Sequence, residues 1–345
     1  MAKTMRAAVF SEFGGPEVVG IRKMPVPEPG AGEVRVKVEV VHGGRLDLWV
    51  RRGLPIETPM PHIGGSDFAG VVDAVGPGAE SVPIGTRVVV DPSLRFHWYD
   101  GEDRGPSFAE PPFQLIGEHT QGGFAEYAVV PAANLLEIPD GFPFTEAAAA
   151  GLVFVTAWRA LLTRGGLTAG ERVLITGASG GVGTAAIQIA ARAGAKVFAV
   201  TAGADKVRMC EELGAHVVYD RNEVPFSRAV WQDTDKKGVN LAFDTVGERV
   251  WNECLRALAP GGRLVTSGAT TGSRGVTEIR LVFWKQLSIL GSTMGSPTEF
   301  RRVMRLVFDG SLDAVIHEVM PLDEAARAHE LLESGKVFGK VVLVP

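Results

Sequence analysis

The chain has 345 residues, 46% hydrophobic and 22% charged, with a formal net charge of −5; it can bury a sizeable core and suggests two domains. The charge gives no electrostatic reason to expect nucleic-acid binding, and the most apolar run, residues 147–158, falls short of the roughly 20 residues that cross a bilayer. No apolar signal core follows the N-terminal charges, and two cysteines cannot build a four-thiolate zinc site, so a cytoplasmic protein without a membrane partner is expected.

In chain order, residues 33–41, 69–75, 86–91 and 124–130 alternate or run apolar between Gly/Pro turn signals, which predicts an all-β body with loops. From about residue 156 to 294 the rhythm changes. Short strands at 173–176, 197–200, 217–220, 241–244, 263–267 and 288–291 alternate with helical stretches, the pattern of a doubly wound parallel sheet. Helices at 298–308 and 323–333 and a closing strand at 340–344 complete the chain. Cys210 and Cys254 lie in helical spacing and read as buried thiols.

Residues 176–183 read Thr-Gly-Ala-Ser-Gly-Gly-Val-Gly between an apolar strand and a helix expected to open at Thr184. In such a turn Gly180 and Gly181 leave room for backbone amides to approach a pyrophosphate, with Ser179 and Val182 between them, and Gly183 lets the helix sit close on the sheet. A dinucleotide cofactor is the leading reading; a plain strand-to-helix connection is the alternative. The strand at 196–200 ends at Thr201, where NAD-binding versions carry a carboxylate for the ribose 2′-hydroxyl. No carboxylate stands there, and Lys206 and Arg221 follow, which favours NADPH over NADH; both cations also fit a solvated surface.

Several spaced motifs occur in one order: Met5-Arg6-Ala7-Ala8-Val9, the segment 64–72 beginning Gly64-Gly65-Ser66-Asp67, Thr156-Ala157-Trp158, the glycine turn, Gly261-Gly262-Arg263 and Gly339-Lys340-Val341-Val342-Leu343. With these the chain resembles the medium-chain dehydrogenase/reductases, near the zinc-type alcohol dehydrogenases and nearer their zinc-free quinone-oxidoreductase relatives. The resemblance implies an α/β protein: a Rossmann domain at 154–294 inserted into a GroES-like β-rich catalytic domain at 1–153 that is completed by 295–345, with the active cleft at their junction. It further implies a homodimer or homotetramer joined through Rossmann sheet edges, with the strand at 288–293 as the candidate edge. By resemblance Thr156 lies against the nicotinamide, Asp244, Thr245 and Val246 near adenosine and ribose, Gly268, Ala269, Ser292 and Met294 around the carboxamide, and Arg45 and Lys340 near the pyrophosphate.

The departures from that pattern bear on chemistry. Where zinc enzymes place their ligands this chain aligns Gly44, Ser66 and Leu152, a set expected to bind no metal. The proton-relay positions align with Leu46 and Trp49, so alcohol oxidation lacks a relay and a Lewis acid. The loop at 91–117, with Phe96, His97, Trp98 and Tyr99, reads as a metal-free aromatic flap or as a packed surface loop. Asp47 and Trp49 are pocket candidates, Asp47 equally a cap for its turn, and His42 and His119 are possible acids or structural groups. The expected activity is therefore zinc-independent, NADPH-dependent reduction of quinones, enones or related activated alkenes, with a small-molecule electron acceptor. A cofactor-binding protein with little turnover, as in the lens crystallins, and a zinc alcohol dehydrogenase are the alternatives. Gly44 stands where the zinc-free branch usually has Asn, which leaves the catalytic group unassigned.

Overall fold

The computed structural model describes residues 3–94 and 114–345, so the aromatic loop expectation at Phe96, His97, Trp98 and Tyr99 lies outside the described residues. The chain opens with β1 (Thr4–Phe10), β2 (Gly20–Pro25) and the long β3 (Glu33–Gly43), followed by α1 (Arg45–Arg52), β4 (His62–Ile63), β5 (Asp67–Val75) and β6 (Arg87–Val90). Two short strands, β7 (Ser93–Leu94) and β8 (Gln114–Leu115), then β9 (Tyr127–Pro131) and β10 (Leu135–Glu137), precede the apolar helix α2 (Phe144–Trp158). The period-2 reading holds along β3, where Val34, Val36 and Val38 are buried and Lys37 is exposed.

The helix does not stop at Trp158. A π-helical turn, Arg159–Arg164, continues it, with the Gly165 amide bonding five residues back to Ala160 at 2.9 Å. The resulting 21-residue helix is long and apolar enough to cross a membrane by length and composition, which corrects the shorter estimate from residues 147–158. Its burial is that of a core helix, since 72% of its most apolar stretch lies inside the protein. The sequence estimate was short because Arg159 and Arg164 interrupt the run, yet Arg159 is itself buried.

The second unit, Val153–Gly295, alternates strand and helix: β11 (Arg172–Ile175), α3 (Gly181–Arg192), β12 (Lys196–Thr201), α4 (Ala204–Glu212), β13 (Val217–Asp220), α5 (Phe226–Asp233), β14 (Val239–Asp244), α6 (Trp251–Ala257), β15 (Leu258–Thr266), α7 (Ile279–Trp284) and β16 (Ser288–Gly291). Among the described residues these six strands pair in parallel in the order β13-β12-β11-β14-β15-β16. The order reverses between β11 and β14, and ligands of such Rossmann sheets bind outside the carboxyl ends of the strands at that point. Both faces are covered, so the strands are near-continuous apolar runs, and Val173, Leu174, Ile175, Val197, Phe198 and Ala199 are all buried.

The first unit, Met1–Leu152 with Ser296–Pro345, is closed by α8 (Pro297–Phe308), β17 (Ile316–Pro321), α9 (Ala325–Glu333) and β18 (Lys340–Val344). The C-terminal strand enters the N-terminal sheet, pairing antiparallel with β3 and parallel with β17, so the sheet runs β10-β6-β5-β3-β18-β17. This long-range pairing brings Lys340, His42 and Asp67 onto neighbouring strands: His42 lies opposite Asp67 across β3 and β5. The division between the units falls at Leu152/Val153 and Gly295/Ser296.

Candidate cofactor and active-site residues

In the second unit the glycine turn sits at the carboxyl end of β11 and leads into α3, whose first helical residue is Gly181 and whose N-cap is Gly180. The helix thus opens three residues earlier than Thr184: Gly180 carries the extended φ/ψ of a cap, and the Thr184 amide already bonds to the Gly180 carbonyl at 2.8 Å. No side chain caps this end, so its first amides face outward on a positive dipole terminus. The glycines divide by role. A Cβ at Gly183 would lie 2.3 Å from the Gly177 carbonyl oxygen, so the helix's own packing needs glycine there, whereas a Cβ at Gly180 would meet that oxygen alone, at 3.4 Å. Gly180 therefore faces open space that the fold does not use. Ser179, Gly181 and Val182 are partly exposed around it.

The same edge of the sheet carries three buried hydroxyls without a protein partner: Thr201 at the end of β12, Ser267 just after β15 and Ser292 just after β16. Buried polar atoms are normally hydrogen-bonded, so three orphans at the carboxyl edge mark a surface whose partner is a ligand or water. With the open turn, these residues fit a dinucleotide. Ser267 is an addition to the sequence reading, because a serine after an apolar strand carries no local signal. Thr156 is buried, with its hydroxyl 3.8 Å from the sulfur of Met294, which takes a left-handed φ of 43°. Gly268 is half-buried, and a Cβ there would lie 2.8 Å from the Thr245 carbonyl oxygen; Ala269 is exposed.

Asp244, expected near adenosine and ribose, has its carboxylate engaged within the protein. Its carboxylate is fully buried and already accepts from Thr176 Oγ1 at 2.5 Å, from the Val246 amide at 3.0 Å and from the Gly247 amide at 2.9 Å. It orders the loop carrying Thr245 and Val246, both half-buried, and keeps no free oxygen at the surface. Lys206 is half-buried and Arg221 exposed, flanking the turn after β12.

In the first unit the aligned positions Gly44, Ser66 and Leu152 are drawn together by carboxylates. Asp47 accepts from the Gly44 amide at 2.7 Å and the Gly65 amide at 2.9 Å, pinning two loops, which supports the cap reading of that residue. Gly65 has φ +88°, and a Cβ there would strike Val41 and the Phe124 amide. Asp67 accepts from the Leu152 amide at 2.7 Å and lies 3.6 Å from Lys340 Nζ and 3.4 Å from His42 Nδ1. Lys340, expected near a pyrophosphate, is thus buried against a carboxylate, and burial lowers its pKa to about 8. His42 occupies the space a residue-44 side chain would need, since a Cβ on Gly44 would come 2.8 Å from its Cε1. Burial lowers its imidazole to about 4, and its Nε2 has no partner; neither has Ser66 Oγ. Burial raises Asp47 to about 6, and burial with the nearby Asp47 charge raises Glu118 to about 7. Glu118 escaped the sequence reading because burial of a loop carboxylate is not written in its neighbours along the chain.

The remaining candidates are peripheral to this cluster. His119 accepts from the Leu115 amide at 3.2 Å and closes its own turn. Trp49 is half-buried beneath the Arg52 guanidinium at 5.5 Å, Leu46 is half-buried, and Arg45 starts α1 at the surface. Among the described residues no group of three or more His, Cys, Asp or Glu is arranged to hold a metal ion, and glycine and leucine at two aligned positions offer no donor side chain.

Two sequence-family models match the chain: an alcohol dehydrogenase GroES-like domain over residues 30–140 and a zinc-binding dehydrogenase domain over residues 181–309. Along nearly its whole length the chain is also 32% identical to the quinone oxidoreductase of Homo sapiens, in an alignment of 353 positions that covers 99% of this chain and 98% of the relative. The chain belongs to the medium-chain dehydrogenase/reductase superfamily, in its quinone-oxidoreductase-like branch. It is accordingly an oxidoreductase, built from a GroES-like and a Rossmann domain. Two solved superfamily structures are similar throughout. One, described as an NAD-dependent alcohol dehydrogenase, is 42% identical with a TM-score of 0.92, covering 99% of this chain and 100% of that one. The other, a crotonyl-CoA carboxylase/reductase in complex with NADP, is 25% identical with a TM-score of 0.90, covering 99% and 95%.

Proposed function

We propose that this superfamily member is a zinc-independent, NADPH-dependent reductase of quinones, enones or related activated alkenes, a cytoplasmic enzyme acting as a homodimer or homotetramer. The observation that carries the reading is the pairing of two features: an open glycine turn with three orphaned hydroxyls in the Rossmann unit, and a ligand-position set in the GroES-like unit that contains Gly44 and Leu152.

When bound, the dinucleotide supplies a hydride to the conjugated carbon of the acceptor. The rest falls to this chain. The α3 terminus and the amides near Gly180 and Gly181 bind the pyrophosphate, and Asp244 holds the adjoining loop in place through Thr176, Val246 and Gly247. Ser267 and Ser292 offer hydroxyls at the strand ends, and Thr156 offers one from α2. Negative charge arriving on a conjugated acceptor spreads onto an oxygen that one or two hydrogen bonds steady, so neither a metal nor a relay is required. Ser66 Oγ is a buried donor of the first unit with capacity to spare. Alcohol oxidation, in contrast, leaves an alkoxide without a stabiliser at Leu46 and Trp49.

NADPH is favoured by Thr201 at the tip of β12, which adds no charge beside a 2′-phosphate, and by Lys206 and Arg221; a relative's complex with NADP supports it. Two free thiols, both buried, suit a reducing compartment. A second copy at the sheet edge is supported by β16, which among the described residues pairs only with β15, and by Ile279, Phe283 and Trp284 of α7, beside it in the chain and exposed, the last two rings 6.0 Å apart. NADPH consumption followed by absorbance against a panel of quinones and enones tests the activity; binding of NADPH without turnover on any acceptor overturns it. Elemental analysis of the purified protein is expected to find zinc well below one per chain. Replacing Lys206 or Arg221 by Ala is expected to weaken NADPH more than NADH, and equal losses would remove their 2′-phosphate role.

A further inference from the structure

The turn that follows β12 takes a carboxylate after all, from the neighbouring strand. Thr201 lies directly opposite Asp220 in the parallel pair of β12 and β13. Asp220 is the last residue of β13, and its side chain crosses to the β12 turn: Oδ2 accepts from the Gly203 amide at 2.8 Å, while Oδ1 accepts from the Asn222 amide at 2.9 Å. The Arg221 amide bonds the Thr201 carbonyl at 3.0 Å, so the two strand ends are tied from both sides. Gly203 has φ +92°, with nothing within 4 Å of a Cβ built on it, so the turn's outer face is open. The buried Thr201 hydroxyl beside it has no partner.

In Rossmann domains this turn is where the ribose hydroxyls are recognised, and the usual discriminating carboxylate stands at the tip of the second strand. Here that strand ends in Thr201, and the carboxylate arrives one strand over. We propose that Asp220 is the specificity-determining residue of the ribose site: its charge, fixed on the Gly203 amide, opposes a 2′-phosphate and confines the preference for NADPH to a narrow margin, so that the enzyme accepts both dinucleotides. The formal charges around the turn fit such a balance. Lys206, Arg208 and Arg221 are positive and Asp205, Asp220 and Glu223 negative, with Asp205 engaged by Arg208 at 3.4 Å and the Glu223 amide on the Asp220 carbonyl at 3.0 Å. The formal charges around the turn thus offset one another, and the anion fixed on the turn by two hydrogen bonds is Asp220. A carboxylate in that place repels a phosphate and accepts hydrogen bonds from ribose hydroxyls, which favours the dinucleotide without the phosphate.

The proposal rests on the reading that the second unit takes a dinucleotide, and binding measurements separate the two. Titration of the whole protein with NADPH and with NADH, read by nicotinamide fluorescence, gives a Kd for each. Asp220→Asn keeps an acceptor oxygen for one of the two amides and removes the charge. It is expected to raise the ratio of the NADH to the NADPH Kd by about tenfold, a change of about 1.4 kcal/mol, through tighter NADPH binding. The NADH Kd should stay within about twofold, and the gain should shrink in molar salt. Asp220→Ala, which also loses both hydrogen bonds, is expected to weaken both dinucleotides while moving the ratio the same way. If the variants weaken both dinucleotides alike with the ratio unchanged, Asp220 only pins the turn and the assignment is overturned. Failure of the wild-type protein to bind either dinucleotide overturns the reading beneath it as well.

Discussion

Asp47 illustrates how one side chain sets the geometry of the GroES-like unit. Its two oxygens hold the Gly44 and Gly65 amides, which ties together the loops that carry the aligned positions 44 and 66. Ionisation there is costly: Asp47 is raised to about 6, and its charge helps raise Glu118 to about 7 from an ordinary 4.5. For Glu118 the folded pKa is above the unfolded one. The stability that its protonated form permits is complete below about 4.5 and is lost as pH rises through about 7. Glu118→Gln is therefore expected to raise the unfolding free energy at pH 8 by about 3–4 kcal/mol, from a pKa raised from 4.5 to about 7 at about 1.4 kcal/mol per unit. At pH 4.5 the gain should vanish. Thermal melts at the two pH values check this; an equal effect at both would place the cost in packing rather than charge.

At the scale of elements, the turn from β11 into α3 separates a folding requirement from a binding one. Gly183→Ala drives a Cβ to 2.3 Å from the Gly177 carbonyl and 2.6 Å from the Ala178 Cα, both backbone. It is expected to cost about 2–3 kcal/mol, the range of overpacking, and to lower the melting temperature. Gly180→Ala meets only an ordinary contact, at a φ of −82° that alanine adopts freely. Its stability should change by less than about 1 kcal/mol, the scale of an N-cap exchange, while dinucleotide binding weakens at least several-fold. Melting curves beside fluorescence titrations distinguish the two, and unchanged binding by Gly180→Ala would remove that glycine from the pyrophosphate site. The helix start three residues before Thr184 has a simple origin. Glycines at 181 and 183 read as loop in one dimension, but the Gly180 carbonyl already accepts the first helical bond.

For the whole molecule, the exposed edge of the Rossmann sheet carries the assembly expectation. A twofold pairing of β16 with its copy would continue the sheet and cover α7, whose Trp284 is 77% exposed. Trp284→Glu combined with Ile289→Lys is expected to yield a monomer by sedimentation with its circular dichroism unchanged. A dimer surviving both substitutions would move the interface elsewhere.

What was legible in one dimension follows from local physics. The strand–helix rhythm of about residues 156–294, the glycine turn and the β-rich opening are written in period, apolarity and turn chemistry, and strands at 217–220, 288–291 and 340–344 agree with the structure residue for residue. The superfamily followed from the order of the motifs. Side-chain partnerships were not legible: Asp244 turning inward to Thr176, Lys340 buried on Asp67, His42 filling the space beside Gly44, and Asp220 reaching across to Gly203. Each joins residues 2 to nearly 300 positions apart, and their burial and charge come from strands paired across the sheets. Backbone preference is a property of neighbours along the chain; the environment of an ionisable or orphaned polar group belongs to neighbours in space.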